Sequence, residues 1–159
     1  MNTIVSDTTT LIVLSKLDKY DLLKNIFNKV FIPKAVMTEL SKKPDGVGKK
    51  ILECSFFQTK EISDKKLFTL LSDMLDEGES EAIVLSKEMK LMLLIDEKKG
   101  RKIAKSMNIK IIGLLGVLII NVKKDFLSQS EAIGILKQIK ELKFRVSKRL
   151  EDSFLKQLL

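Results

Sequence analysis

The chain alternates short apolar runs with segments of helical periodicity, and this alternation limits the folds open to it more than any other feature. Strand-like runs cover residues 3–6, 30–32, 91–95 and 109–112, with a further short extended segment at 56–62. Strands that alternate with helices favour a parallel sheet covered by helices. The sequence therefore predicts an α/β fold with a central parallel sheet of four to five strands flanked by helices.

Helical patterns fill most of the remaining chain. They predict helices over residues 18–28, 34–42, 97–107, 114–122, 130–140 and 147–159, and a further helix that begins in the acid-rich segment 76–81. Residues 43–48 form the clearest loop. A length of 159 residues suits a single domain, residues 1–159, in which residues 128–159 form a C-terminal helical pair.

Nothing in the sequence predicts a membrane or secretory protein. The longest apolar stretch, residues 111–122, is about a dozen residues, against the roughly 20 that a membrane-spanning helix needs. The start of the chain lacks the pattern of a signal peptide. A cytoplasmic location is the expectation.

Composition removes several classes of chemistry. The chain has no histidine and a single cysteine, Cys54. This excludes Ser-His-Asp and Cys-His triads, histidine-bound zinc, an internal disulfide and cysteine-cluster metal sites. Any chemistry must use carboxylates, hydroxyls, lysines or a bound metal. The formal net charge of +8 favours a polyanionic partner such as nucleic acid, although a lysine-rich solvated surface explains the same charge.

Four carboxylates adjoin predicted core elements. Asp7 directly follows the first strand, Asp96 directly follows the apolar run 91–95, Glu39 lies in the helix after the second strand, and Glu81 lies near a helix start. Each has an ordinary explanation when taken singly, as a helix cap, a strand end or a surface acid. Acids at the ends of parallel strands meet at one edge of the sheet, where such folds place ligand sites.

Clustered carboxylates repel each other unless a cation neutralises them, so this cluster predicts a Mg²⁺ or Mn²⁺ site. A divalent metal on a basic protein without histidine suits phosphodiester hydrolysis, because the metal activates water and stabilises charge on phosphate. A second, basic cluster lies near the C-terminus. It is a candidate nucleic-acid-binding surface, though solvated helix faces look the same, and it comprises Lys137, Lys140, Lys143, Arg145, Lys148, Arg149 and Lys156.

These residues resemble the PIN-domain ribonucleases, and in particular a PIN-like branch classed as a domain of unknown function and related to VapC-type toxins. The resemblance covers nearly the whole chain. It rests on Ile-Val-Ser-Asp-Thr-Thr at 4–9, Ile-Pro-Lys-Ala-Val at 32–36 with Glu39, Leu-Asp-Glu-Gly-Glu-Ser-Glu-Ala-Ile at 75–83, Ile-Asp-Glu at 95–97 with Arg101, and Gly-Leu-Leu-Gly-Val-Leu at 113–118.

The resemblance implies a three-layer PIN-like fold and a metal-dependent endoribonuclease that acts as the toxin of a toxin-antitoxin pair. It makes Asp7, Glu39, Glu81 and Asp96 the catalytic acids, with Asp7, Asp96 and Glu81 on the metal. It also implies an RNA substrate, a homodimer and a cognate antitoxin protein. Secondary candidates are Glu79, which is ranked below Glu81 because it points to the opposite side of the helix, Glu97, Arg101 as a phosphate ligand or ion-pair partner, and Thr8 or Thr9 as a hydrogen-bond partner of water or a helix cap.

Two departures and two alternatives accompany this reading. Many relatives have Ser-Pro where this chain has Thr9 and Thr10, and better-studied toxins often have aspartate in place of Glu81. A phosphatase-like Mg²⁺ hydrolase with Asp7 as nucleophile is disfavoured, because Thr9 stands where a second acid is needed. The other alternative is a non-catalytic PIN-like module that binds nucleic acid or protein.

Overall fold

A single five-stranded sheet organises the computed structural model, which describes residues 3–159. All neighbouring strands are parallel, in the order β3-β2-β1-β4-β5. The strands are β1 Thr3–Ser6, β2 Lys29–Pro33, β3 Phe57–Lys60, β4 Met92–Leu94 and β5 Ile111–Ile112. The fold class predicted from the sequence is confirmed, and the short extended segment at 56–62 is the edge strand β3.

Ten helices connect the strands and follow them within the described chain. Their bounds are α1 Thr8–Lys16, α2 Asp21–Lys24, α3 Lys34–Ser41, α4 Val47–Leu52, α5 Lys65–Ser72, α6 Glu77–Met89, α7 Lys98–Ser106, α8 Leu114–Lys123, α9 Gln129–Glu141 and α10 Lys148–Leu158. None of these helices is long and apolar enough to cross a bilayer.

The core lies in two layers, one on each face of the sheet. Successive side chains of a strand point to opposite faces, so Ile4 packs in one layer and Val5 in the other, and Leu94 and Leu93 divide in the same way. One layer is closed by residues of α1, α8, α9 and α10, the other by residues of α5, α6 and α7. Strands buried on both faces explain why the sequence shows continuous apolar runs there.

The order of the strands reverses at β1: β2 and β3 lie on one side of it, and β4 and β5 lie on the other. Strand β1 is central and pairs with β2 on one side and β4 on the other. The backbone N–H of Asp7 continues this pairing and donates to the carbonyl of Leu94 at 3.0 Å. In open parallel sheets, ligand sites lie in the crevice at such a switch point, outside the carboxyl ends of the strands.

Several element boundaries differ from the sequence prediction. The helix predicted over 18–28 is reduced to the four residues of α2, because Asp18 takes a left-handed conformation and the chain must enter β2 at Lys29. The predicted loop 43–48 already contains the start of α4, which follows Gly46 at φ +76°. Helix α5 was not predicted; Asp64 caps it by accepting from the backbone N–H of Leu67.

Candidate active site

Asp7 lies at the centre of an acidic cluster at the carboxyl ends of β1 and β4. It occupies the position between β1 and α1 and is only 5% exposed. Burial raises the pKa of Asp7 from its ordinary value of 3.8 to about 7, and the negative charges of Asp76, Glu39 and Asp96 raise it further against a hydrogen bond from the Thr8 backbone. Asp7 is therefore a carboxyl group that holds a proton near neutrality unless a cation replaces it.

Asp96 lies at the end of the neighbouring strand and is held from two sides. Its Oδ1 accepts from the backbone N–H of Leu114 at 3.0 Å, at the first turn of α8, and its Oδ2 accepts from the hydroxyl of Thr10. Burial raises the pKa of Asp96, while the hydrogen bonds from Thr10 and Leu114 and the charge of Arg101 lower it. These three groups favour the ionised carboxylate over the protonated form.

Arg101 lies on the flank of Asp96. Its Nη1 donates to the carbonyl of Ile95 at 2.7 Å, and a carbon added to Gly113 would lie 2.8 Å from Nη1 and 2.7 Å from Asp96 Oδ1. The guanidinium is thus tied to the backbone of the strand end beside an acid. Its charge lowers the pKa of Asp96, and its role as phosphate ligand or ion-pair partner stays a prediction.

The start of α6 contributes an acid pair to the cluster. Asp76 is the N-cap and accepts from the backbone N–H of Glu79 at 2.8 Å. Burial raises the pKa of Glu79 from 4.5 to about 8, followed by the charges of Asp76, Asp7 and Glu97 and by a hydrogen bond with the side chain of Asp76. A pKa of about 8 means that Glu79 holds a proton near neutrality, and the protonated carboxyl donates to Asp76.

Glu97 borders the same cluster from α7. It is the exposed N-cap of that helix and accepts from the backbone N–H of Gly100 at 2.8 Å. A carbon added to Gly100 would lie 3.7 Å from an oxygen of Glu97 and 3.7 Å from an oxygen of Glu79. Glu97 and Glu79 therefore face a common point on the rim of the site.

Glu39 and Glu81 line a neighbouring cleft between α3 and α6. Glu81 accepts from the backbone N–H of Ala35 at 2.8 Å and so caps α3, and Glu39 is half-buried with its charge acting on Asp7. The sequence pattern ranks Glu81 above Glu79 as a site residue. The two side chains lie on opposite sides of α6, and it is Glu79 that faces Asp7. The cleft measures about 360 Å³ and is lined by Lys34, Ala35, Thr38, Glu39, Lys42, Glu77, Gly78 and Glu81.

Three consecutive hydroxyls follow Asp7 and have different environments. Thr8 is 5% exposed, and its Oγ1 has no hydrogen-bond partner among the described residues. It lies beside Asp76, since a carbon added to Gly78 would be 3.5 Å from Thr8 Oγ1 and 3.6 Å from Asp76 Oδ1. Thr9 is exposed, and the N-cap position of α1 belongs to Asp7. Thr8 is thus a buried donor available to a ligand of the cluster.

Sequence reasoning missed two residues of this site, Asp76 and Thr10. Asp76 stands three residues before Glu79, in the pattern of a helix N-cap. That pattern predicts a local capping role for Asp76 and says nothing about its distance from Asp7. Thr10 contacts Asp96 across 86 residues of sequence. No local pattern predicts such a contact.

The donor set of the cluster suits a hard divalent cation, although a closed cage is absent. Within residues 3–159, no three Asp, Glu, His or Cys side chains are grouped so that they could hold a metal together. Mg²⁺ does not require such a group, since proteins bind it through one or two carboxylates with water in the other positions. The raised pKa of Asp7 and the free hydroxyl of Thr8 both fit a cation at this edge.

The predicted basic residues lie on the last two helices, which are antiparallel. Gln129 at the start of α9 donates to the carbonyl of Leu158 at the end of α10, and Lys140 pairs with Glu151 at 2.9 Å nearer the connecting turn. Helix α10 packs on α8, and the first residue of α8, Leu114, donates its backbone N–H to Asp96. Five residues join the end of α8 to the start of α9, and the α9–α10 turn follows α9. The exposed cations Lys143, Arg145, Lys148 and Arg149 form this basic turn.

The match to known proteins agrees with this geometry. A family model, DUF3368, described as a PIN domain, matches residues 3–159. The chain belongs to the PIN-domain family. Its fold is similar to that of a PilT N-terminus domain protein from the hyperthermophilic archaeon Sulfolobus solfataricus P2, with a TM-score of 0.50 and 17% identity over 74% of this chain and 90% of that one. No curated protein matches the sequence.

Membership confirms the resemblance seen in the sequence and gives the acidic edge a class of chemistry. PIN domains are generally nucleases, so this PIN-domain chain belongs to a superfamily of hydrolases that act on nucleic acid. The acids of its sheet edge lie where the ligand site of a parallel α/β sheet is expected.

Proposed function

We propose that this PIN-domain protein is a Mg²⁺- or Mn²⁺-dependent endoribonuclease that hydrolyses phosphodiester bonds at the acidic edge. The observation that carries the proposal is Asp7, buried at the end of β1 with its pKa raised to about 7 by burial and by three neighbouring acids. A carboxylate in that setting is stabilised by a divalent cation. A cation held by Asp7 and Asp96 would supply activation of water and stabilisation of charge on phosphate.

We assign Asp7 and Asp96 to the metal, and we assign to Glu79 the third position predicted for Glu81. Asp7 and Asp96 follow neighbouring strands, and the charge of Asp96 raises the pKa of Asp7. Glu79 has Asp7 among the charges that raise its pKa, whereas Glu81 accepts from the backbone N–H of Ala35. Glu39 and Glu81 are assigned to the adjoining cleft, where they line the path of the substrate.

The Asp76–Glu79 pair supplies a group able to hold and move a proton. The pKa of Glu79 is raised to about 8, first by burial and then by Asp76. Proton transfer is most efficient when the pKa of the catalytic group lies near the working pH. We assign the pair to general acid or base catalysis at the same edge, while the hydroxyl of Thr8 orients a water or a phosphate oxygen.

The substrate class is RNA with unpaired regions, bound mainly through its backbone. The net charge of +8 attracts a polyanion, and the four cations of the basic turn are exposed. Aromatic residues are only 6% of the chain and tryptophan is absent, so few bases can be stacked. Single strands and loops are the RNA segments whose bases proteins can reach.

The toxin role, the cognate antitoxin and the homodimer are further parts of this proposal that rest on family resemblance. Exposed apolar side chains on α5 and beyond its end, Leu70 and Met74, support an association surface. Sedimentation of the purified chain tests the homodimer. Growth arrest on expression, relieved by a neighbouring gene product, tests the toxin role.

Cleavage assays with matched variants test the nuclease. Labelled single-stranded and structured RNAs are incubated with Mg²⁺, Mn²⁺ or EDTA and with wild-type protein, Asp7→Asn or Asp96→Asn. We expect metal-dependent cleavage by wild type. In both variants the rate should fall by at least about a hundredfold, as it does when one group that stabilises the transition state is removed. Glu79→Gln and Glu81→Gln form a matched pair on one helix, and the larger loss is expected for Glu79→Gln.

Two results would contradict the nuclease. One is RNA that binds but stays intact with every metal; the other is variants that cut as well as wild type. Either result favours the non-catalytic PIN-like module, whose supporting observation is the lack of a three-carboxylate group within residues 3–159.

A further inference from the structure

The carboxylate of Asp96 is anchored by two elements that approach it from different directions. The hydroxyl of Thr10, in the first turn of α1, donates to Oδ2 at 2.5 Å, and the backbone N–H of Leu114, in the first turn of α8, donates to Oδ1 at 3.0 Å. The same Leu114 N–H also lies 3.3 Å from Oδ2, so it bridges both oxygens, and the Thr10 hydroxyl is the side-chain donor to Oδ2. The side chain cannot turn about its last torsion without breaking one of these bonds.

Thr10 connects Asp96 to the segment that carries Asp7. It lies three residues after Asp7 in α1 and is 1% exposed. The backbone N–H of Asp7 already donates to the carbonyl of Leu94 on β4. The Thr10 hydroxyl adds a side-chain bond between the same two chain segments, so it fixes the two acids relative to each other.

Space around Asp96 is restricted as well. A carbon added to Gly113 would lie 2.7 Å from Oδ1, and the guanidinium of Arg101 lies on the same flank. With that flank closed, the carboxylate is held by the Leu114 N–H and by the Thr10 hydroxyl. Removing the Thr10 hydroxyl leaves Oδ2 with the longer 3.3 Å contact from the Leu114 N–H, which holds the carboxylate less firmly.

We propose that Thr10 is a positioning residue of the acidic site, which orients the Asp96 carboxylate toward the same cation as Asp7. The proposal rests on the metal-dependent function proposed above. A residue that acts through a ligand in this way is expected to change metal affinity, because partners of ligating carboxylates fix the direction of their lone pairs.

Three variants test Thr10. Thr10→Val removes the hydroxyl and keeps the shape, Thr10→Ser keeps the hydroxyl, and Thr69→Val makes the same change at an exposed threonine of α5. Two properties are measured: Mn²⁺ affinity by titration calorimetry, and the conformation of Asp96 in metal-free crystals. Thr10→Val is expected to weaken Mn²⁺ binding by about tenfold or more and to release Asp96 from its position. Thr10→Ser and Thr69→Val are expected to match wild type in both measurements.

The outcomes separate this proposal from the nuclease proposal. Thr10→Val crystals in which Asp96 keeps its position, or equal losses in Thr10→Ser and Thr10→Val, would overturn the role of Thr10. A wild-type protein that neither binds Mn²⁺ nor cuts RNA would overturn the nuclease, and the Asp96 conformation would still decide whether Thr10 positions it. If Thr10→Val does not fold, Thr10→Ser carries the test, because loss of affinity with the hydroxyl retained contradicts the proposal.

Discussion

Asp7 is the residue at which folding and function have opposite requirements. Burial and three neighbouring acids raise its pKa to about 7, so ionising it in the folded protein is unfavourable. In the unfolded chain the group has its ordinary pKa of 3.8. Between these two values the native state binds more protons than the unfolded state, so the free energy of unfolding falls as pH rises.

The pH dependence of stability tests this directly. In EDTA, we expect wild type to lose stability relative to Asp7→Asn between about pH 4 and pH 7, by up to about 4 kcal/mol, because the amide cannot ionise. The two proteins should converge toward pH 4. Urea unfolding at several pH values measures the difference, with the exposed Asp73→Asn as control. Parallel pH profiles for wild type and Asp7→Asn would contradict the raised pKa.

Gly113 is a second residue whose substitution isolates one feature of the site. A methyl group there would meet Asp96 Oδ1 at 2.7 Å and Arg101 Nη1 at 2.8 Å. Gly113→Ala is therefore expected to displace Asp96, to lower stability by about 1–3 kcal/mol and to abolish metal-dependent cleavage. Thermal unfolding and RNA cleavage measure the two effects.

Gly134 provides the matched control for this substitution. It lies in α9, and a carbon added to it meets nothing within 4 Å. Gly134→Ala should raise stability by about 0.5–1 kcal/mol, as expected for alanine in a helix, and should leave cleavage unchanged. If Gly113→Ala and Gly134→Ala have the same stability and cleavage activity, the Asp96 carboxylate does not need a glycine at position 113.

At this scale the sequence predicts the acids that follow strands and misses their tertiary partners. Asp7 and Asp96 are recognisable because each ends an apolar run, and the parallel order of strands brings such ends together. Asp76 and Glu79 reach the cluster only because α6 packs with its first turn against Asp7. The direction in which that helix approaches is set by packing and leaves no periodic signal.

Among the elements, those with strong periodicity were predictable and those with short or irregular patterns were not. Strands β1, β2 and β4 coincide with apolar runs, since burial on both faces requires continuous apolar sequence. Helix α4 has only six residues, and α5 has a single buried residue, Leu71. Such elements are stabilised by their neighbours, so their local sequences give little signal.

The α9–α10 pair is the element on which RNA affinity is expected to depend. Replacing all four cations of the basic turn, Lys143, Arg145, Lys148 and Arg149, by glutamine should weaken RNA binding. It should also reduce the slope of log affinity against log salt by about 3, or about 0.7 for each lost phosphate contact. Filter binding over a range of salt concentrations measures both. All four residues are exposed, so thermal stability should be unchanged.

A second set of four lysines controls for net charge. Lys16, Lys24, Lys29 and Lys110 lie at the opposite edge of the sheet, at the end of α1 or α2 or at the start of a strand. Replacing these four lysines by glutamine removes the same amount of charge. The slope of log RNA affinity against log salt should then stay close to the wild-type value. If both sets weaken binding equally, RNA is attracted by overall charge and the basic turn is not its binding surface.

The whole molecule combines a basic surface with an acidic crevice, and this contrast defines two requirements for a substrate. Distributed lysines attract a polyanion from any direction, whereas the crevice at β1 and β4 repels phosphate until its own charge is compensated. Metal-free protein should therefore bind RNA at its surface and leave it intact. The same division of charge explains why a net charge of +8 coexists with an acidic crevice.

The protons held by Asp7 and Glu79 also change the charge of the entire molecule. The formal value of +8 counts every acid as ionised, but pKa values of about 7 and about 8 bring the metal-free protein to about +9 at pH 7. In capillary electrophoresis at pH 7, Asp7→Asn should therefore shift mobility by about half the step produced by Asp73→Asn, and at pH 9 by a full step. Mobility thus reports, without ligand or substrate, whether the folded crevice keeps its protons.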